Sequence, residues 1–142
     1  GDDRRNVVLN TMNKPFAEYH LSAETMDKWA RIIAVRTAVN GALEQARADK
    51  TIGKSLEAQV TLSVPAGDAF LAEMDETTLA DLFIVSKVTL RVGSELSVKV
   101  AAAEGEKCQR CWKVLANVGA SGEHEALCPR CAAVMAALPV LE

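Results

Sequence analysis

The clearest chemistry in this chain is carried by four cysteines in two matched pairs. Cys108 and Cys111 form one C-x-x-C pair, Cys128 and Cys131 form the other, and sixteen residues lie between them. A single pair of this kind fits a metal clip, a redox couple or two small core residues. A duplicated pair fits a tetrahedral zinc ion best, because each short turn supplies two soft donors and two turns complete the shell. Four thiolates leave no open position for water, so the expected cofactor is one structural Zn2+. The segment around the cysteines has few large apolar side chains, so metal binding and local folding should be one event. Gly119, Ser121 and Gly122 suit a turn that returns the second pair to the first, as in a zinc ribbon or treble-clef knuckle.

Lys107, Arg110, Lys113 and Arg130 surround the cysteines. A zinc ion held by four thiolates carries a formal charge of about -2, which these cations can balance. The same residue types also reach phosphates and base edges. Trp112 has two readings: a hydrophobic lid over the knuckle, or an exposed indole that stacks on an unpaired base.

No catalytic constellation accompanies this module. His20 and His124 stand far apart in sequence, and neither sits in a motif that would make it a general base. Gly53, Lys54 and Ser55 imitate the end of a phosphate loop, but the preceding glycines are missing and a strand is expected next, where a helix is required. Glu73, Asp75 and Glu76 read as the solvated face of a helix.

The elements that must position the cysteines follow from hydrophobic period. Ser22 can cap a helix with Glu24 near its amino end, and Trp29, Ile32, Arg36, Val39, Leu43 and Ala46 recur at spacings of three and four. This predicts one long helix over about 23–49, in which Gly41 costs about 1 kcal/mol against alanine, and a turn at Gly53. From Leu56 the period changes to two, with Ala58, Val60, Leu62 and Val64 on one face and Glu57, Gln59, Thr61 and Ser63 on the other. A second helix is expected over about Asp68 to Leu82. Two strands should follow, the first from about Phe83, joined at Gly93 and Ser94. The class is therefore α+β: a long N-terminal helix, a small three-stranded sheet covered by a helix, and a zinc ribbon or knuckle. The corresponding division is 1–55 as a helical connector, 56–104 as a small α+β subdomain, 105–135 as the four-cysteine zinc-binding module and 136–142 as a tail. The lead-in, with Val7 to Leu9, Pro15, Phe16 and Tyr19, should pack on the first helix, and the Met and Phe residues of the small α+β layer read as core.

At 142 residues, 49% hydrophobic and 25% charged, the chain can bury one moderate core and a small appendage. A net charge of -3 argues against wholesale coating of nucleic acid, while leaving room for a local basic surface. No apolar run approaches the roughly 20 residues of a membrane helix, and "GDDRRN" has no hydrophobic signal region. The expectation is a soluble, cytoplasmic protein without a membrane partner. In a reducing compartment close cysteine pairs favour metal over disulfides.

Two blocks carry a family resemblance. "KCQRCW" followed by "GEHEALCPRC" resembles the zinc-binding end of bacterial-type isoleucyl-tRNA synthetases. "WARIIAVRTAVNGALEQARADKTIGKSLEAQVTL" resembles the same family's segment leading out of its anticodon-binding helices, with matches at Trp29, Arg36 to Val39, Ala42 to Arg47 and Ile52 to Ala58. The resemblance implies the C-terminal region of an isoleucine-tRNA ligase, a class I enzyme that uses ATP to attach isoleucine to tRNA(Ile). The H-I-G-H and K-M-S-K-S signatures are absent, so ATP would serve only a catalytic domain outside this chain, and the chain itself should not be catalytic. The implied partners are the tRNA(Ile) anticodon stem-loop and the remaining domains of the parent enzyme. By motif position, Arg110 and Trp112 would touch anticodon bases; charge and proximity to the cysteines suggest Lys107, Lys113 and Arg130 as further backbone contacts. A free-standing zinc-ribbon module that binds other nucleic acid, or a purely structural module, is the alternative.

Overall fold

The computed structural model describes residues 16–138 together with Asn6, Val8, Asn10, Thr11 and Lys14. Expectations placed on Val7, Leu9, Pro15 and residues 139–142 lie outside the described residues. Phe16 and Tyr19, expected to pack on the first helix, are largely exposed and meet each other edge to face, with ring centroids 5.8 Å apart.

Helix α1 runs Ala23–Ala48, and the Ser22 side chain accepts a hydrogen bond from the Thr25 N–H at 3.2 Å. Its buried stripe is Ile32, Val35, Val39, Leu43 and Ala46. Val35 thus takes the place expected for Arg36. Positions 35 and 36 both follow Ile32 at a helical spacing, and the core takes the side chain that needs no charged partner. Trp29, read as part of the stripe, is only half-covered. A Cβ at Gly41 would meet nothing within 4 Å, so packing does not demand the glycine. The chain leaves the helix through Lys50, whose φ of 59° is left-handed, and Thr51 N–H returns to the Ala46 carbonyl at 2.9 Å. At Gly53 the turn continues, with Gly53 N–H and Lys54 N–H both donating to Glu57 Oε2, at 3.1 and 3.0 Å.

Leu56 lies in a short 3-10 turn, Ser55–Glu57, and strand β1 spans Ala58–Pro65. Ala58, Val60, Leu62 and Val64 are almost wholly buried, so the period-two reading of this strand holds. The helix expected over Asp68 to Leu82 is two pieces. A 3-10 segment, Ala66–Glu73, ends at the extended Met74, and α2 begins afresh at Glu76 and runs to Phe83. The break comes from Asp75, which caps α2 by accepting from Thr78 N–H at 2.9 Å and Thr78 Oγ1 at 2.6 Å. That local bond competes with a continuous helix, so Asp75 is a cap and not one member of a solvated face. Phe83 closes α2 and does not open a strand. Ile84 follows in the left-handed region at φ 56°, and β2 starts at Lys87 and ends at Gly93.

The sheet order is β2–β1–β3, with β3 at Ser97–Ala102. β1 pairs with β2 in parallel, Val60 opposite Val88, and with β3 antiparallel, Val60 opposite Val100. A parallel pair needs a crossover, which the Ala66–Glu73 segment and α2 supply. β2 and β3 are consecutive in sequence but do not pair with each other, because β1 lies between them. Gly93 ends β2 close beside β1: a Cβ there would fall 2.4 Å from Ser63 Oγ, which would have to turn aside.

Residues of α1, β1, α2 and β2 share one core, in which Phe83, Leu62, Leu71 and Leu79 are the largest fully buried side chains. Gln59, Thr61 and Ser63 lie on the opposite, wetter face of β1. Both helices therefore cover one side of a small mixed sheet, an α+β arrangement followed by the cysteine module. Ser86 is the one buried polar side chain among the described residues. Its hydroxyl donates to the Leu56 carbonyl at 2.5 Å and accepts from the Val114 N–H at 2.7 Å. It therefore ties the core to the cysteine module. Ser86→Ala would leave both backbone groups without that partner, and urea unfolding should show a loss of about 1–3 kcal/mol.

Candidate metal centre

Gly105 admits the chain to the module. At φ 117° it lies so close to the backbone of Leu115 that a Cβ would fall 2.3 Å from the Leu115 carbonyl carbon. Next come β4, Glu106–Lys107, and β5, Val114–Leu115, paired antiparallel, and the loop between them holds Cys108 and Cys111. Cys108 N–H donates to the Lys113 carbonyl and Trp112 N–H to the Cys108 carbonyl, each at 2.9 Å, which closes the first knuckle. The second pair opens a helix and not a second hairpin. Cys128 is the N-cap of α3, Pro129–Ala137, with Pro129 in the first turn, and Cys131 sits one turn in. The spacer turns at Gly119, φ 83°, and Gly122, φ 68°. One backbone bond closes it on itself, Gly119 N–H to the Leu127 carbonyl, and another holds it to the first knuckle, Gln109 N–H to the Ala126 carbonyl.

All four sulfurs lie within 4.8 Å of one another, and Cys111 Sγ is 3.9 Å from Cys128 Sγ. A tetrahedron with Zn–S bonds of about 2.3 Å has edges of about 3.8 Å, so the donor set fits zinc in number, kind and spacing. Cys108, Cys128 and Cys131 are buried, with Leu115, Val118 and Leu127 packed against them. Backbone Cys128 N–H donates to Cys108 Sγ at 3.4 Å, and Arg110 Nη1 lies 3.8 Å from Cys131 Sγ. The amino end of α3 adds its partial positive charge to the same cluster.

The thiols are driven apart in acidity. Burial pushes Cys108 up, but N–H donors of Cys111, Cys128 and Arg110 outweigh it and bring Cys108 down from 9.0 to about 6. Burial pushes Cys111 up to about 12 and Cys128 upward as well, and neighbouring sulfurs add to both. The protein alone thus holds negative charge readily on Cys108 and resists further charge on Cys111 and Cys128. A dication is the counter-charge that lets several thiolates coexist. A redox reading has little support in the same geometry, because all four sulfurs converge on one point.

The basic residues singled out in the sequence occupy different settings. Lys113 Nζ pairs with Asp81 Oδ1 at 2.5 Å and its side chain is only 13% exposed, so it braces the module against α2. Arg130 lines a cleft of about 280 Å³ between the module and α2, together with Lys87 and Glu76. Arg110 is exposed and rests on the sulfur cluster. Trp112 and Lys107 come together: the lysine Nζ is 5.3 Å from the indole centroid. Lys54, which the sequence reading did not single out as a site residue, lies on the same ring, its Nζ 5.7 Å from the centroid. No local signal marked it: Lys54 lies in "IGKSLEA", more than fifty residues before the cysteines. Trp112 is 54% exposed and has φ 65°. It is therefore not a buried lid.

Comparison with known proteins agrees with this centre. Residues 105–134 match the family described as the zinc finger found in FPG and IleRS. Isoleucine–tRNA ligase of Neisseria meningitidis serogroup A (strain DSM 15465 / Z2491) is 39% identical over 133 residues, which cover 93% of this chain and 14% of that protein. The isoleucine–tRNA ligase of Geobacter sulfurreducens is 44% identical over 121 residues, 78% of this chain and 13% of the relative. That of Kosmotoga olearia is 41% identical over 141 residues, 93% and 15%. The chain matches a zinc-bearing segment of isoleucine–tRNA ligases. It spans about one-seventh of the length of these relatives, and the likeness extends well beyond the zinc finger into the α+β unit. No helix among the described residues is long and apolar enough to cross a membrane.

Proposed function

We propose that this isoleucine–tRNA ligase segment assists recognition of the tRNA(Ile) anticodon, on a surface organised by its structural zinc. The segment itself is non-catalytic. The parent enzyme attaches isoleucine to tRNA(Ile) with ATP bound in a domain outside this chain, in the cytoplasm, and α1 connects the segment to those remaining domains. Binding energy at the anticodon then helps hold the acceptor end in register, a positioning contribution.

The observation that carries this reading is Trp112. A bulky residue in the left-handed region costs on the order of 1–2 kcal/mol, and here that cost accompanies an indole more than half exposed. Burial does not explain such a residue, whereas a stacking platform for an unpaired base does. Arg110 commits one nitrogen toward Cys131, which leaves other donors of its fork for a base edge. Lys107 and Arg130 are assigned phosphate contacts, and Lys113 belongs to the docking of the module.

Titration of the zinc-loaded chain with tRNA(Ile) and with the same tRNA carrying an altered anticodon tests the reading. The native anticodon should bind more tightly, and Trp112→Gly should weaken it by roughly 1–3 kcal/mol. Glycine removes the ring while relieving the backbone, so zinc content should stay unchanged. Equal binding of the two tRNAs would count against anticodon recognition.

A further inference from the structure

We infer that Lys54 is a further RNA-binding residue, and that Lys54, Lys107 and Trp112 together form a site for one unpaired nucleotide and its flanking phosphates. The inference rests on the anticodon reading and extends it to a loop outside the zinc module. Lys54 belongs to the turn after α1, more than fifty residues before the knuckle. The fold nevertheless brings its ammonium to the same ring as Lys107, at 5.7 and 5.3 Å from the centroid. These residues line a recess of about 100 Å³ whose remaining walls are Ser55, Leu56 and Glu57.

Lys54 and Lys107 are the two cations over the Trp112 ring, and neither is tied to a carboxylate among the described residues. Lys28, Arg31, Arg47 and Lys113 each pair with a carboxylate. Glu57, the carboxylate in the recess, is engaged by the Gly53 and Lys54 N–H groups. That engagement fixes the backbone of Lys54 while its four-carbon stem remains free to turn. An ammonium over an exposed ring is held weakly, so it can be exchanged for a phosphate when a base occupies the ring. A nucleotide stacked on Trp112 carries a phosphate on either side, and two unpaired lysines at the ring suit that arrangement. The site straddles the α1 turn and the zinc module, so it exists only while the module is docked.

Fluorescence anisotropy with a labelled tRNA(Ile) anticodon stem-loop, over a range of salt concentrations, tests this on the zinc-loaded 142-residue chain. Lys54→Gln and Lys107→Gln should each weaken binding several-fold and each reduce the slope of log affinity against log salt by about 0.7, the value for one single-strand phosphate contact. Lys54→Arg should restore both. A fully paired RNA of equal length should respond much less, since it presents no free base to the ring. If Trp112→Gly weakens binding while Lys54→Gln leaves affinity and slope as in the unaltered chain, Lys54 is not a contact and the inference is overturned, with the anticodon reading intact. If neither Trp112→Gly nor an altered anticodon changes binding, the anticodon reading itself fails.

Discussion

Cys128→Ser, or chelation of zinc from the unaltered chain, should unfold residues 105–134 and leave the α+β unit folded. The module's two short strands contain two residues each, and its buried residues are mainly the cysteines themselves. Such a segment lacks the apolar area needed to offset its conformational entropy. Structural zinc sites supply roughly 10–16 kcal/mol of apparent binding free energy at neutral pH, far more than any other interaction available here. Cys128 combines three roles: metal donor, N-cap of α3, and N–H donor to Cys108 Sγ. Serine is close in size and suits the N-cap position, so the variant removes the soft donor with little other change. Amide hydrogen exchange should show protection lost across 105–134 and kept at Val60, Leu62 and Val88. Retained protection throughout the module without metal would mean that its fold rests on something other than zinc.

Phe83→Ala should have the converse effect. Phe83 is the largest fully buried side chain, at the carboxyl end of α2 where that helix meets the sheet. Truncating a buried phenylalanine costs about 3–5 kcal/mol through lost transfer free energy and the cavity left behind. A unit of this size has a total stability on the order of 5–10 kcal/mol, so the substitution removes a large part of it. The urea midpoint of the α+β unit should fall accordingly, while zinc stays bound below that midpoint. Loss of zinc in parallel with the core transition would instead make the two parts one cooperative unit, coupled through Ser86 and the Lys113–Asp81 pair.

The cysteine centre was legible in the sequence because a metal shell is specified by residue type and spacing, both of which are read directly. The β1 strand was legible for the same kind of reason, a strict alternation from Ala58 to Val64. The break at Asp75 was harder to see, because a capping side chain and a solvated helical carboxylate have the same letter. Phe83, Ile84 and Val85 form an apolar run with no distinguishing period, so the helix end and strand start could be divided only by the left-handed turn at Ile84. The order β2–β1–β3 was hidden because Gly93 and Ser94 look like a hairpin turn, whereas the connection passes the end of a strand already in place. Lys54 was missed as a site residue because its proximity to Trp112 arises from docking between segments, and no local pattern encodes it.

Each role assigned to this surface depends on the four sulfurs closing around a metal. The most direct test is the zinc content of the protein, purified under reducing conditions without added metal and measured by elemental analysis beside a count of free thiols. One zinc per chain is expected, with the four thiols protected from alkylation until a chelator is added. Zinc near zero in fully reduced, folded protein, with the thiols freely alkylated, would contradict the account.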